Sequence, residues 1–192
     1  MESKKVLNST SKLIYIIYVI SIVYFIFQNQ FNNMAYALLS LVGSIILVYL
    51  SKKWEDLFDS ILIINLVIFI LFAGLLGSSY GIYGKIKGYD DFLHIWSGLV
   101  SCNVAYIIYK YFLGSSISSN KEKIFFVIFL FMFSMGGASL WELMEFAIDK
   151  YLGMNSQAGG LVDTMMDTFD CLIGSIIMIF YYLKINKKCL AE

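Results

Sequence analysis

Proline and arginine are missing from this chain of 192 residues, histidine occurs once, and cysteine occurs three times. Charge is scarce too, at 15% of residues, against roughly 25% in soluble domains. This scarcity excludes a water-soluble globule and a disordered chain, and with a net charge of zero it excludes a nucleic-acid binder. Cys102, Cys171 and Cys189 are odd in number and show no C-x-x-C spacing, which excludes a disulfide framework and a thiolate zinc site. Cys102 and Cys171 read as small packing residues. The lack of proline and arginine, beside abundant Lys, Ile, Phe, Asn and Tyr, is what an AT-rich bacterial genome writes and carries no functional meaning.

What the chain has in plenty is apolar surface: 59% of residues are hydrophobic and the mean hydropathy is +0.76. The charges cluster between apolar runs at 11–28, 34–51, 57–78, 92–113, 124–146 and 161–183. About 20 helical residues cross a hydrocarbon core of roughly 30 Å, so the sequence predicts an all-α polytopic membrane protein, six transmembrane helices in one bundle. No small-x-small cleavage pattern precedes Gln28, so the first run reads as an uncleaved helix. The whole of 1–192 reads as a single membrane domain. Three scaffold helices fill 1–78, and three helices in 79–184 carry the polar residues.

Lysine sets the expected orientation. The N-terminus, second loop, fourth loop and C-terminus hold Lys4, Lys5, Lys12, Lys52, Lys53, Lys110, Lys121, Lys123, Lys184, Lys187 and Lys188, while the other side has only Lys85, Lys87 and Lys150. Both termini are therefore expected in the cytoplasm of a bacterial cell, with the protein in the inner membrane. Trp54, Trp96 and Trp141 fall near the span boundaries, as interfacial anchors do.

The acids divide the opposite way. Asp90, Asp91, Glu142, Glu145, Asp149, Asp163, Asp167 and Asp170 all lie toward the outside and all belong to the last three helices. Asp90 and Asp91 precede His94 by four and three residues, so either shares a helix face with it. An isolated D-x-x-x-H is equally a hydrogen-bonded packing pair; its neighbours make the difference. Glu142, Glu145 and Asp149 form one stripe on helix five, and Asp163, Asp167 and Asp170 another on helix six. With Leu161 at the membrane entry, Asp170 lies about 13 Å in, where a lone carboxylate costs at least about 2.5–3.5 kcal/mol. Gly136 and Gly137 are expected to admit a neighbouring helix closely.

With no Arg or Lys in these apolar interiors, the carboxylates must hold protons or bind metal. The oxygen-rich set with one imidazole suits Mg²⁺, Mn²⁺, Ca²⁺, Fe²⁺ or Zn²⁺, and the lack of a second histidine speaks against a di-iron centre. The expected metal ligands are Asp90, Asp91, His94, Glu142, Glu145, Asp163, Asp167 and Asp170, with His94 and Glu145 as catalytic proton carriers. Asn155 and Gln157, in the loop before helix six, are expected to meet substrate, beside Gly159 and Gly160. A flexible turn there, and Asp163 as a helix N-cap, are the plainer alternatives. Three functions fit: a metal-assisted enzyme acting on a lipid or lipid-linked head group, a cation or proton-coupled transporter, and a non-enzymatic envelope accessory protein. The expected partner is the lipid bilayer, with no nucleic acid; the oligomeric state stays open.

The string YDDFLH at Tyr89, then WELMEF at Trp141, Gln157, and DTMMDTFDCLIG from Asp163 to Gly174 resembles the YjdF-like (DUF2238) bacterial inner-membrane proteins over about residues 89–184. A looser similarity is to VanZ-like membrane proteins. These resemblances imply a polar site on a membrane protein and imply no particular reaction.

Overall fold

The computed structural model describes residues 2–55, 57–114, 117, 119–153, 156–157 and 160–189. Among these residues every regular element is a helix, and there is no strand. The elements are α1 (Glu2–Phe27), α2 (Phe31–Lys53), α3 (Ser60–Ile70) continuing as a π-helix (Leu71–Ser79), α4 (Tyr89–Leu113), α5 (Asn120–Leu152) and α6 (Leu161–Cys189). Six helices are long and apolar enough to cross a membrane. Only 17% to 33% of the most apolar stretch of each is buried within the protein. Most of their Leu, Ile and Phe side chains are therefore left unburied or only partly buried, as suits helices whose solvent is lipid and whose backbone polar groups are satisfied internally. The chain is a multi-pass membrane protein.

The helices overrun the apolar stretches at several ends. α1 takes in the polar residues before Ser11, and α5 runs on to Leu152, because helical hydrogen bonding continues after hydropathy has fallen. With no proline available, side chains and glycine end the helices. The Asp59 carboxylate accepts from Ile61 N (3.0 Å) and the Ser119 hydroxyl from Glu122 N (3.2 Å), each satisfying an orphan first-turn donor. Gly153 stops α5 in the left-handed region (φ 66°), its N–H donating to Asp149 O, a conformation that favours glycine.

The chain forms two compact units, one running to Tyr89 and the other starting at Asp90. The first is knit by Leu7, Ile14, Tyr18, Phe25, Ala37, Val48, Ile63, Val67 and Leu75. Within it, the third span departs from the uninterrupted α-helix its hydropathy predicts. Tyr80 N bonds to Leu75 O (2.9 Å), five residues back, as in a π-helix. Ser79 Oγ also reaches back five residues, to Gly74 O (3.0 Å). Any side-chain carbon on Gly74 would overlap the Ser40 hydroxyl, so this stretch lies tight against α2. Hydroxyls supply further donors to its carbonyls, from Tyr18 to Ile70 O (3.3 Å) and from Tyr89 to Phe72 O (2.9 Å).

The second unit packs α4, α5 and α6 around Cys102, Ala105, Tyr109, Phe126, Leu130, Ile179 and Tyr182. The α4–α6 crossing is nearly backbone on backbone. A side-chain carbon on Gly98 would overlap Cys171 O, and one on Gly174 would overlap Ile95 O. The expected close approach at Gly136 and Gly137 does not occur: nothing stands within 4 Å of a carbon added at Gly136, and Gly137 has an ordinary contact with Ser101 Oγ at 3.6 Å. Small residues on both partners make the approach, and Gly98 faces Gly174, whereas Gly136 lies on an open face of α5. Serines fill the same level. Ser175 Oγ donates to Cys171 O (2.7 Å), and Ser134 Oγ lies 2.6 Å from Ser175 Oγ and 3.3 Å from Gly98 O.

Candidate metal centre

One helical turn above the Gly98–Gly174 crossing, α4 presents His94 and α6 presents Asp170. The residues around them stand on the i, i+3, i+4 positions that put side chains on one face. Asp90 and Asp91 open α4, while Asp163, Asp167 and Asp170 stripe α6. His94 Nε2 lies between two carboxylates, 3.5 Å from Asp90 Oδ1 and 3.7 Å from Asp167 Oδ1. Both separations exceed the roughly 2.7–3.2 Å of an N–H···O hydrogen bond. They are the separations of loose imidazole–carboxylate ion pairs, and ligands each about 2.0–2.2 Å from a shared ion stand about as far apart.

The second grouping overlaps the first. One ligand atom from each of Asp90, His94 and Asp167 falls within 4.8 Å of the others, and the same holds for Asp91, Asp167 and Asp170. Asp167 belongs to both. It is the most enclosed residue of the set, at 3% exposure, and Asp170 follows at 8%. The buried Asp170 Oδ2 has no hydrogen-bond partner, and orphaned buried carboxylate oxygens are costly. None of the four aspartates pairs with a lysine among the described residues.

Glu142, Glu145 and Asp163 fall outside both groups. Glu142 is buried at 7% exposure with Oε2 unpartnered; it interacts electrostatically with His94 and Asp163, and Thr164 and Gln157 flank it. Thr164 was not singled out by sequence reasoning; its one signal is a place three residues before Asp167 on the α6 stripe. Glu145 is half-buried, and its Oε1 accepts from Trp141 Nε1 (2.8 Å) one turn earlier, so that tryptophan does more than sit at an interface. Asp149, the last acid of the α5 stripe, clasps the loop instead: its two oxygens accept from Ser156 N (2.6 Å) and Gln157 N (2.8 Å). Gln157 Nε2 in turn donates to Thr164 Oγ1 (2.7 Å). Asn155 and Gly159 lie outside the described residues, and Gly160 adopts φ 64° immediately before α6.

A family model matches residues 10–188, nearly the whole chain, and its description is predicted membrane protein (DUF2238). The chain belongs to this family. The DUF2238 membership extends the resemblance seen in residues 89–184 to the first three helices. An uncharacterized protein of Thermotoga maritima is 27% identical over 114 residues, 57% of this chain and 55% of the relative. The chain thus spans about half the length of that curated relative. No solved structure matches the chain.

Proposed function

We propose that this membrane protein binds a divalent cation between α4 and α6 and uses it in chemistry on a lipid or lipid-linked head group at the outer leaflet. The observation that carries the reading is His94 Nε2 set between two carboxylates, 3.5 Å from Asp90 and 3.7 Å from Asp167, a loose spacing that also suits ligands of a shared ion. Asp167 and Asp170, buried and without a lysine partner, add anionic charge that only protons or a cation relieve. A hard, oxygen-rich set with one imidazole favours Mn²⁺, Mg²⁺, Zn²⁺ or Fe²⁺ over softer metals. The bound cation would polarise a phosphoryl or carbonyl oxygen or lower the pKa of water. With His94 Nε2 given to the cation, Glu145, half-buried on α5, is the proton carrier of this scheme. Gln157, held over Thr164, is the substrate-facing amide.

The lysine distribution orients the acidic end outward with both termini cytoplasmic, in the cell membrane. The transporter reading requires a path from the acids to the other face. Below them Cys102, Ser134 and Ser175 are fully buried, with Cys102 Sγ donating to Ser175 O, Ser134 Oγ to Gly98 O and the two serine hydroxyls bonded to each other, which favours a site open on one side. Isothermal titration of Mn²⁺ into chelator-stripped protein in detergent tests the reading. Saturable binding that Asp167→Asn abolishes supports it, and wild-type protein that takes up no Mn²⁺, Mg²⁺ or Zn²⁺ contradicts it.

A further inference from the structure

Resting on the cation reading above, we infer that the site holds two cations bridged by Asp167. Asp90 and His94 complete the ligand set of one ion, and Asp91 and Asp170 that of the other. Asp167 is the residue common to both ligand groups. A carboxylate has two oxygens and can bind an ion with each, as the bridging acids of carboxylate-rich helical bundles do. The second group has its own pointer to a ligand. Asp170 is more than nine-tenths buried, contributes an oxygen to that group, and keeps Oδ2 without a hydrogen-bond partner.

Charge balance separates one ion from two. Asp90, Asp91, Asp167 and Asp170 are four carboxylates, the last two buried, Asp90 part-exposed and Asp91 exposed, with no lysine paired to any of them among the described residues. With all four ionised and the imidazole unprotonated, one dication leaves a double negative charge on the cluster, and two leave none. Each ion would have three protein ligands, and Mn²⁺ or Mg²⁺ prefers about six, so both keep positions for water and for an anionic oxygen. Ion pairs about 3.5–4 Å apart clamp both the attacking and the leaving oxygens of a phosphoryl group. A phosphoester head group is accordingly the substrate class this arrangement fits.

The test is metal stoichiometry on the full chain in detergent, stripped with chelator, re-equilibrated with Mn²⁺ and analysed by elemental mass spectrometry and low-temperature electron paramagnetic resonance. The expected result is two Mn²⁺ per chain with an exchange-coupled spectrum. Asp91→Asn with Asp170→Asn should halve the stoichiometry and leave the spectrum of an isolated ion, and so should Asp90→Asn with His94→Gln. Wild-type protein with one Mn²⁺ per chain, or with two uncoupled ions, overturns the bridged pair while leaving cation binding in place. No bound Mn²⁺ at all overturns both. The wild-type measurement decides the matter even where a variant fails to fold.

Discussion

Gly98 and Gly174 face each other across α4 and α6, each lacking the carbon that would strike the other helix's backbone. The crossing sits one turn below His94 and Asp170, so it sets how closely the two sides of the acidic cluster approach. Gly98→Ala or Gly174→Ala should destabilise the protein by about 1–3 kcal/mol, the usual cost of overpacking. Each should also weaken cation binding by spreading the ligands. Gly136→Ala, with open space around it, should do neither. Thermal unfolding and Mn²⁺ titration of the three variants check this; equal effects at all three glycines would contradict it.

Ser134 and Ser175 join α5 to α6 beneath the site, both fully buried. Either Ser→Ala change removes the bond between the two hydroxyls, while the remaining one keeps its backbone acceptor, Cys171 O for Ser175 or Gly98 O for Ser134, so it should cost about 0.5–1.5 kcal/mol. The double variant should cost less than the sum of the two, since it removes both partners. A double-mutant cycle by chemical unfolding in detergent measures this, and strict additivity would show that the contact contributes nothing.

Asp149 is expected to be a loop clasp without a part in cation binding. Asp149→Ala removes the acceptor for Ser156 N and Gln157 N, so proteolytic cleavage near residues 154–159 should quicken while Mn²⁺ affinity stays within about two-fold, since the site's own groups lie elsewhere and distant effects are small. Loss of metal binding in this variant would make Asp149 part of the site.

The spans and the polar helix faces were legible in the sequence because each rests on one helix's periodicity. Runs of apolar residues mark spans, and Asp90 with His94, or Asp167 with Asp170, share a face by spacing alone. The rest depended on what another segment brings. The π-helical end of the third span comes with contacts such as Ser40 against Gly74, which hydropathy does not register. Gly98 and Gly174 are ordinary membrane-helix glycines until they are seen opposite each other, and Gly136 and Gly137 looked equally suited. Asp149 continued the α5 stripe by count, yet the chain folds back after Gly153 and engages it from the loop.

Orientation is checked by chemistry. Cys102 and Cys171 are buried, so a Cys189→Ser background offers little reaction with a membrane-impermeant maleimide. Ser156→Cys in that background should be labelled in intact cells. Labelling that appears only after lysis would place the acidic end in the cytoplasm.

The most direct measurement is thermal unfolding in detergent of wild-type protein and Asp167→Asn, each with chelator and with added Mn²⁺, Mg²⁺ or Zn²⁺. A cation that binds only the folded form stabilises it by about 2.7 kcal/mol at 100 times its Kd. Wild-type protein should therefore melt higher with metal than with chelator, and Asp167→Asn should lose most of that difference. A wild type indifferent to every cation, with Asp167→Asn more stable than it at neutral pH, would mean that the buried acids hold protons and that no metal site exists.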